Sequence, residues 1–112
     1  MKSVYRLKKD RQFNYTYKRG KSIACKNMVL VYVRTGSDKL KAGFSVSKKI
    51  GNSVVRNKIK RRLREALTKH VLNMKQDYNY IFIARKSITQ DDFKTVSNSL
   101  KYLLKKADMF IK

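Results

Sequence analysis

The sequence predicts a small α+β domain in which helices cover one sheet, in the order α-β-β-β-α-β-α. Three observations carry this. Short runs rich in β-branched and aromatic residues, at 28–34, 40–47 and 80–85, read as strands. Two longer stretches, one opening near Asn52 and one near Asp92, repeat their apolar residues at helical spacing. Nothing divides the chain: its 112 residues contain no proline, four glycines and no low-complexity linker, so 1–112 is expected to be a single domain.

Residues 8–19 read as a short helix, because Phe13 and Tyr17 stand i, i+4 apart. Its last turn is basic (Lys18, Arg19), and Gly20 follows as the stop. Residues 23–25 read as a short strand. Residues 28–34, MVLVYVR, are expected to be a strand covered on both faces. Thr35, Gly36, Ser37 and Asp38 make a turn into 40–47, expected to run antiparallel to the strand before it. Asn52 or Ser53 can cap the long helix, whose apolar stripe is Val55, Ile59, Leu63, Ala66, Leu67, His70 and Met74. Arg56 and Lys60 fall at one margin of that stripe, and Asn57, Arg61 and Arg64 on the far side. Residues 80–85, YIFIAR, read as a buried strand. Asp91 or Asp92 can open a last helix with Phe93, Val96, Leu100, Leu103, Leu104 and Ala107 as its core face.

The charge is the unusual feature. Lys and Arg number 29 against 7 acids, a net charge of +22. Apolar residues make up 42%, so a core can form and the charge is not a mark of disorder. Self-repulsion on this scale works against the compact state and a polyanion relieves it. No apolar run approaches the roughly 18–20 residues of a membrane span. The start, MKSVYRLKKDRQF, lacks the apolar region of a signal peptide, and the expectation is that it is not one. The single Cys25 cannot form an internal disulfide and reads as a small apolar residue in a reduced, cytoplasmic setting.

An enzyme acting alone needs a cluster of reactive groups, and none can be assembled. His70 is the one histidine, on the apolar side of the long helix. Asp91 and Asp92 are adjacent, which suits capping rather than paired acid–base work. No Cys/His spacing suits zinc and no phosphate-binding loop of the Walker type is present. The signals are those of a nucleic-acid binder. Arg56, Lys58, Lys60, Arg61, Arg62 and Arg64 share their helix with one acid, Glu65, whereas an ordinary solvated face mixes Lys with Glu. If about six of these met phosphates, the log–log salt slope of binding would be on the order of −4 to −5. Asn57 among them is either a base-reading or metal-hydrate contact or a plain exposed residue. Phe13 and Tyr17 are either core residues of the first helix or a stacking platform for single-stranded bases. A platform favours single-stranded RNA over duplex DNA.

The run from Phe44 to Glu65, FSVSKKIGNSVVRNKIKRRLRE, resembles the signature of the bacterial ribonuclease P protein subunit, centred on the triplet Arg56, Asn57, Lys58. The spacing Phe13-x-x-x-Tyr17-Lys18-x-Gly20 and the strand ending IFIAR are also similar, so the resemblance spans nearly the whole chain. It implies an α/β sandwich like the second domain of ribosomal protein S5, with a left-handed β-α-β crossover. It implies a ribonucleoprotein that removes the 5′ leader of precursor tRNA, with magnesium ions held mainly by the catalytic RNA and no catalytic residue on the protein. The basic helix (Arg56, Asn57, Lys58, Lys60, Arg61, Arg62, Arg64) would dock on the catalytic RNA. The leader would lie against Phe13, Tyr17 and Lys18, with Lys48 and Lys49 nearby. Val31 stands where the family often has a second-strand aromatic, and Tyr32 lies on the opposite face. A ribosomal protein or general RNA chaperone, indifferent to any leader, is the competing reading; an intrinsic nuclease and a polybasic membrane-surface protein are the others.

Overall fold

β-Branched and aromatic side chains build the two central strands, and the rest of the chain is hung on them. The computed structural model describes residues 5–111. Its elements are α1 (Asp10–Arg19), β1 (Lys21–Ala24), β2 (Met28–Arg34), β3 (Lys41–Ser45), α2 (Ser53–Thr68), β4 (Tyr78–Ala84) and α3 (Phe93–Lys106), with short 3-10 turns at Val71–Asn73 and Lys86–Gln90. The expected order α-β-β-β-α-β-α is the observed one.

The sheet order is β1-β2-β4-β3. β2 pairs antiparallel with β1 and β4, and β3 pairs parallel with β4. β3 thus runs opposite to β2, as its sequence position suggested, but the two form no hairpin because β4 stands between them. The reason lies in β4: Tyr80, Ile81 and Phe82 are consecutive and fully buried, so this strand needs cover on both faces and neighbours on both edges. A parallel β3–β4 pair requires a long crossover, which α2 supplies.

Side chains alternate across the sheet, and its two faces differ. One carries Met28, Leu30, Ala42, Tyr80 and Phe82 against Ile59, Leu63, Ala66 and Leu67 of α2 and Val96, Leu100, Leu103 and Leu104 of α3. The other has a small cluster of Leu7, Val31 and Ile81, with Phe13, Val29 and Ile83 only partly covered. The expectation that 28–34 would be covered on both faces therefore holds for part of its length. α1 crosses this second face, touching β2 and β4.

The caps resolve as single residues. Asn52 Oδ1 accepts from Val55 N–H at 3.0 Å and opens α2. Asp92 Oδ1 accepts from Thr95 N–H at 2.8 Å and opens α3, and that backbone bond holds its carboxyl below the usual range. Asp91 instead accepts from the Asn27 side chain at 2.8 Å. α2 stops at Thr68, so His70 and Met74 of the expected stripe lie beyond it, flanking the 3-10 turn. The first strand spans Lys21–Ala24 rather than 23–25: it is a mostly exposed edge strand whose alternation carries no apolar signal. Cys25 lies outside it, half-buried, its thiol donating to Asn27 Oδ1.

Candidate nucleic-acid interface

Leu7 N–H donates to the Ala42 carbonyl at 2.9 Å, so the segment before α1 runs along the edge of β3. α1 then crosses to β2. Its one buried residue, Thr16, receives a hydrogen bond from Asn79 Nδ2 of β4 at 3.3 Å. Two glycines allow the close approach. A Cβ at Gly43 would stand 2.5 Å from the tip of the Phe13 ring, and one at Gly20 would stand 2.5 Å from the Thr16 carbonyl oxygen. Gly20 has an extended φ of −79°, so it ends the helix by permitting contact with β2, not by a left-handed turn.

The two readings of the aromatic pair divide between its members. Phe13 is half-buried against Gly43, while Tyr17 is 43% exposed, with ring centroids 6.4 Å apart. The pair therefore forms a step, one ring seated on the sheet and one facing solvent. Lys18 is exposed beside it. Val31 is only 7% exposed, packed with Leu7 and Ile81 and against Gly20, so its side chain belongs to the floor under α1 rather than to an open surface. Tyr32 does face the other way, towards Tyr78. The open apolar strip beside α1 is made by Val29 and Ile83, cross-strand partners in register. Sequence reading passed over both, although alternation from Val31 places Val29 on its face. Lys48 and Lys49 are exposed on the turn that leaves β3, closed by Ile50 N–H to the Ser47 carbonyl at 3.0 Å.

α2 presents its cations in two rows. Asn57, Lys58 and Arg61 are exposed. Arg56, Lys60 and Arg64 are half-buried and follow i, i+4, i+8 spacing along the side that meets the edge of β3. Arg64 thus stands with Lys60, not on the far side as its angle on an ideal wheel suggested. Lys60 and Arg64 line a cavity of about 180 Å³ together with Arg6, Phe13, Gly43 and Phe44. The Nε atoms of Arg56 and Arg64 are buried and make no hydrogen bond among the described residues. A buried donor left unpaired costs about 1–3 kcal/mol, which an anion oxygen would relieve. Arg62 is different: its Nη1 donates to the Asp91 carbonyl at 2.8 Å and ties α2 to the start of α3. Arg6, whose position before α1 gave no pattern, is the cation that sequence reading missed.

His70 packs edge-on against Phe110, and burial followed by the charges of Lys101 and Lys69 lowers its pKa. No group of three or more His, Cys, Asp or Glu side chains converges among the described residues. No helix among them is long and apolar enough to cross a membrane.

A family model described as Ribonuclease P matches residues 1–108. A ribonuclease P protein component from Caldanaerobacter subterraneus is 42% identical over 105 residues, covering 94% of this chain and 90% of that one. One from Streptococcus agalactiae is 38% identical over 109 residues, covering 97% and 99%. Among solved structures, the Staphylococcus aureus RNase P protein superposes with a TM-score of 0.88 at 38% identity, covering 96% of this chain and 98% of that one. A mutant of that protein with defective mRNA degradation activity gives 0.89 at 38% identity, covering 96% and 91%. The RNase P protein from Thermotoga maritima gives 0.82 at 31% identity, covering 90% and 96%.

Proposed function

The chain belongs to the ribonuclease P protein component family, and from that premise we propose how its surface is used. As a member it is part of an endoribonuclease complex acting in tRNA processing and associates with ribonuclease P RNA. The finer reading is that the catalytic RNA carries out the chemistry and this protein grips the 5′ leader of precursor tRNA. The exposed cations of α2 (Lys58, Arg61, with Asn57) dock on the RNA subunit. Arg56, Lys60 and Arg64 face the seam where docked RNA and leader come together. Phe13 and Tyr17, with Lys18, Lys48 and Lys49 around them, receive the leader, and Val29 and Ile83 floor its path.

The observation that carries this is the cavity where Phe13 of α1 meets Lys60 and Arg64 of α2 across Gly43. It joins a stacking surface to phosphate-binding groups on one ledge. Magnesium, which the reaction would require, belongs in this reading mainly to the RNA. The protein's part is electrostatic and positional. A +22 chain between two polyanions lowers their repulsion. Contacts that mature tRNA cannot make tighten substrate over product. A cytoplasmic setting, with neither membrane nor DNA as partner, fits this role.

The test is reconstitution with ribonuclease P RNA at low magnesium. A precursor with a leader of several nucleotides gains affinity from the protein and mature tRNA gains little; equal gains overturn the leader reading and favour a general RNA chaperone. A second reading, RNA cleavage by the chain itself, is raised by the Staphylococcus aureus mutant with defective mRNA degradation activity. Protein freed of RNA and incubated with precursor separates the two: cleavage there would move the chemistry onto the polypeptide.

A further inference from the structure

The pleat brings a second group of aromatic and cationic side chains together at the other end of the sheet. Lys21 is the register partner of Tyr32, and Arg34 of Tyr78, so all four project from one face. It is the face opposite Phe13, Val31 and Ile83. Arg19, at the end of α1, joins them. Together with Val33 they line a cavity of about 250 Å³ open to solvent. The Tyr32 and Tyr78 rings lie 6.4 Å apart and tilted by 49°, both half-buried. Tyr78 leans in turn on Tyr80, centroids 6.2 Å apart, and the Tyr80 hydroxyl is fixed by donating to the Lys75 carbonyl at 2.8 Å. Arg34 is held in place by Asp77 through a 2.9 Å ion pair. Arg19 and Lys21 are exposed and have no carboxylate partner among the described residues.

This cavity lies outside the leader path and outside α2. Its chemistry is nonetheless that of a single-strand nucleotide site: buttressed rings with a free side, and unpaired cations within reach. We propose that it binds one nucleotide of single-stranded RNA, the base against Tyr32 and Tyr78 and the phosphate between Arg19 and Lys21. The protein then holds RNA at two separate places on the sheet. The inference rests on the RNA-binding reading for its class of ligand and is independent of where the leader lies. An acidic protein segment would find the same cations but has no base to stack, and this difference decides the experiment.

The ¹⁵N-labelled full chain is titrated with uridine 5′-monophosphate and, separately, with inorganic phosphate. The nucleotide shifts the amide signals of residues 19–21, 32–34 and 78, saturating at concentrations about tenfold below those phosphate needs. Tyr78→Ala removes that advantage and Tyr78→Phe keeps it, while Lys21→Ala weakens both ligands; the spectra report whether each variant is folded. Equal affinities for nucleotide and phosphate, or an advantage that survives Tyr78→Ala, overturn the proposal. Shifts confined to residues 13–18 and 56–64 also overturn it, while leaving the leader reading intact. In the assembled holoenzyme, a photo-crosslinker on Lys21→Cys, in a Cys25→Ser background, identifies the strand. Capture of the RNA subunit or of the precursor supports the site and names its source; capture of neither rejects it.

Discussion

The two faces of the sheet are made from the same strands and treated in opposite ways. On one, α2 and α3 seal Leu30, Tyr80 and Phe82 completely. On the other, α1 crosses only part of the sheet, and Val29 and Ile83 stay partly open beside it. The sealed face holds the protein folded. The open one retains apolar surface that folding alone would have buried, with cations along its border. Most of the packing energy and the leader contacts are therefore assigned to different sides of one sheet, and substitutions should separate them.

The largest effect is expected where packing is complete. Leu100 is 0% exposed, and Leu100→Ala should cost about 2–5 kcal/mol, read as a lowered midpoint in thermal or urea unfolding. A loss under about 1 kcal/mol would mean that the α3 side can collapse around the gap, and the contrast between the faces would weaken. Gly43→Ala attacks the open face through its one aromatic anchor. The added methyl meets the Phe13 ring at 2.5–2.6 Å, so the ring must lift. A cost of about 1–3 kcal/mol is expected, as for overpacking, together with weaker precursor binding. Unchanged stability with weakened binding would show that α1 is held by Thr16 and Leu7, with Phe13 reserved for recognition.

Tyr17→Ala sharpens the comparison. Its ring is 43% exposed, so unfolding should move by no more than about 0.5 kcal/mol. Holoenzyme affinity for a leader-bearing precursor should fall by about 1–3 kcal/mol, the worth of a stacked base. Affinity for mature tRNA serves as the control and should hold. Should the variant unfold, Tyr17 would join Phe13 as packing, and the open face would lose its platform.

What could be read from the sequence follows the same division. The sealed face announces itself through periodicity: Ile59, Leu63 and Leu67 on one helix and Val96, Leu100 and Leu103 on the other are spaced for burial and are buried. The basic run on α2 was equally plain, because Lys and Arg without acids stand out in any register. Pairing was not legible. Nothing local to 40–47 says that residues 78–84 will insert beside it, because that choice is made by β4's need for two covered faces. The candidate site was half legible for a related reason. Spacing joins Phe13 to Tyr17 but cannot say that a glycine thirty residues later seats one ring and leaves the other exposed. Arg62 shows the limit of charge counting: it shares the run's chemistry, yet one of its guanidinium N–H groups also bonds the Asp91 carbonyl, a tie that charge alone does not reveal.

The smallest effect concerns the rim of the sealed face. His70 packs on Phe110 at 5.5 Å, and its pKa is lowered from 6.5 by burial first and then by Lys101 and Lys69. The folded state thus binds fewer protons at this site than the unfolded chain between the lowered value and 6.5. The associated stability is fully present above 6.5 and is lost as the pH falls through that window. The chain has one histidine, the side chain whose ordinary charge change falls in this range. Unfolding midpoints measured from pH 7.5 down to 5.5 should decline slightly, and His70→Gln should flatten the decline. If the slope survives the substitution, the proton is taken up elsewhere, and the rim of the sealed side is wetter than its packing against Phe110 implies.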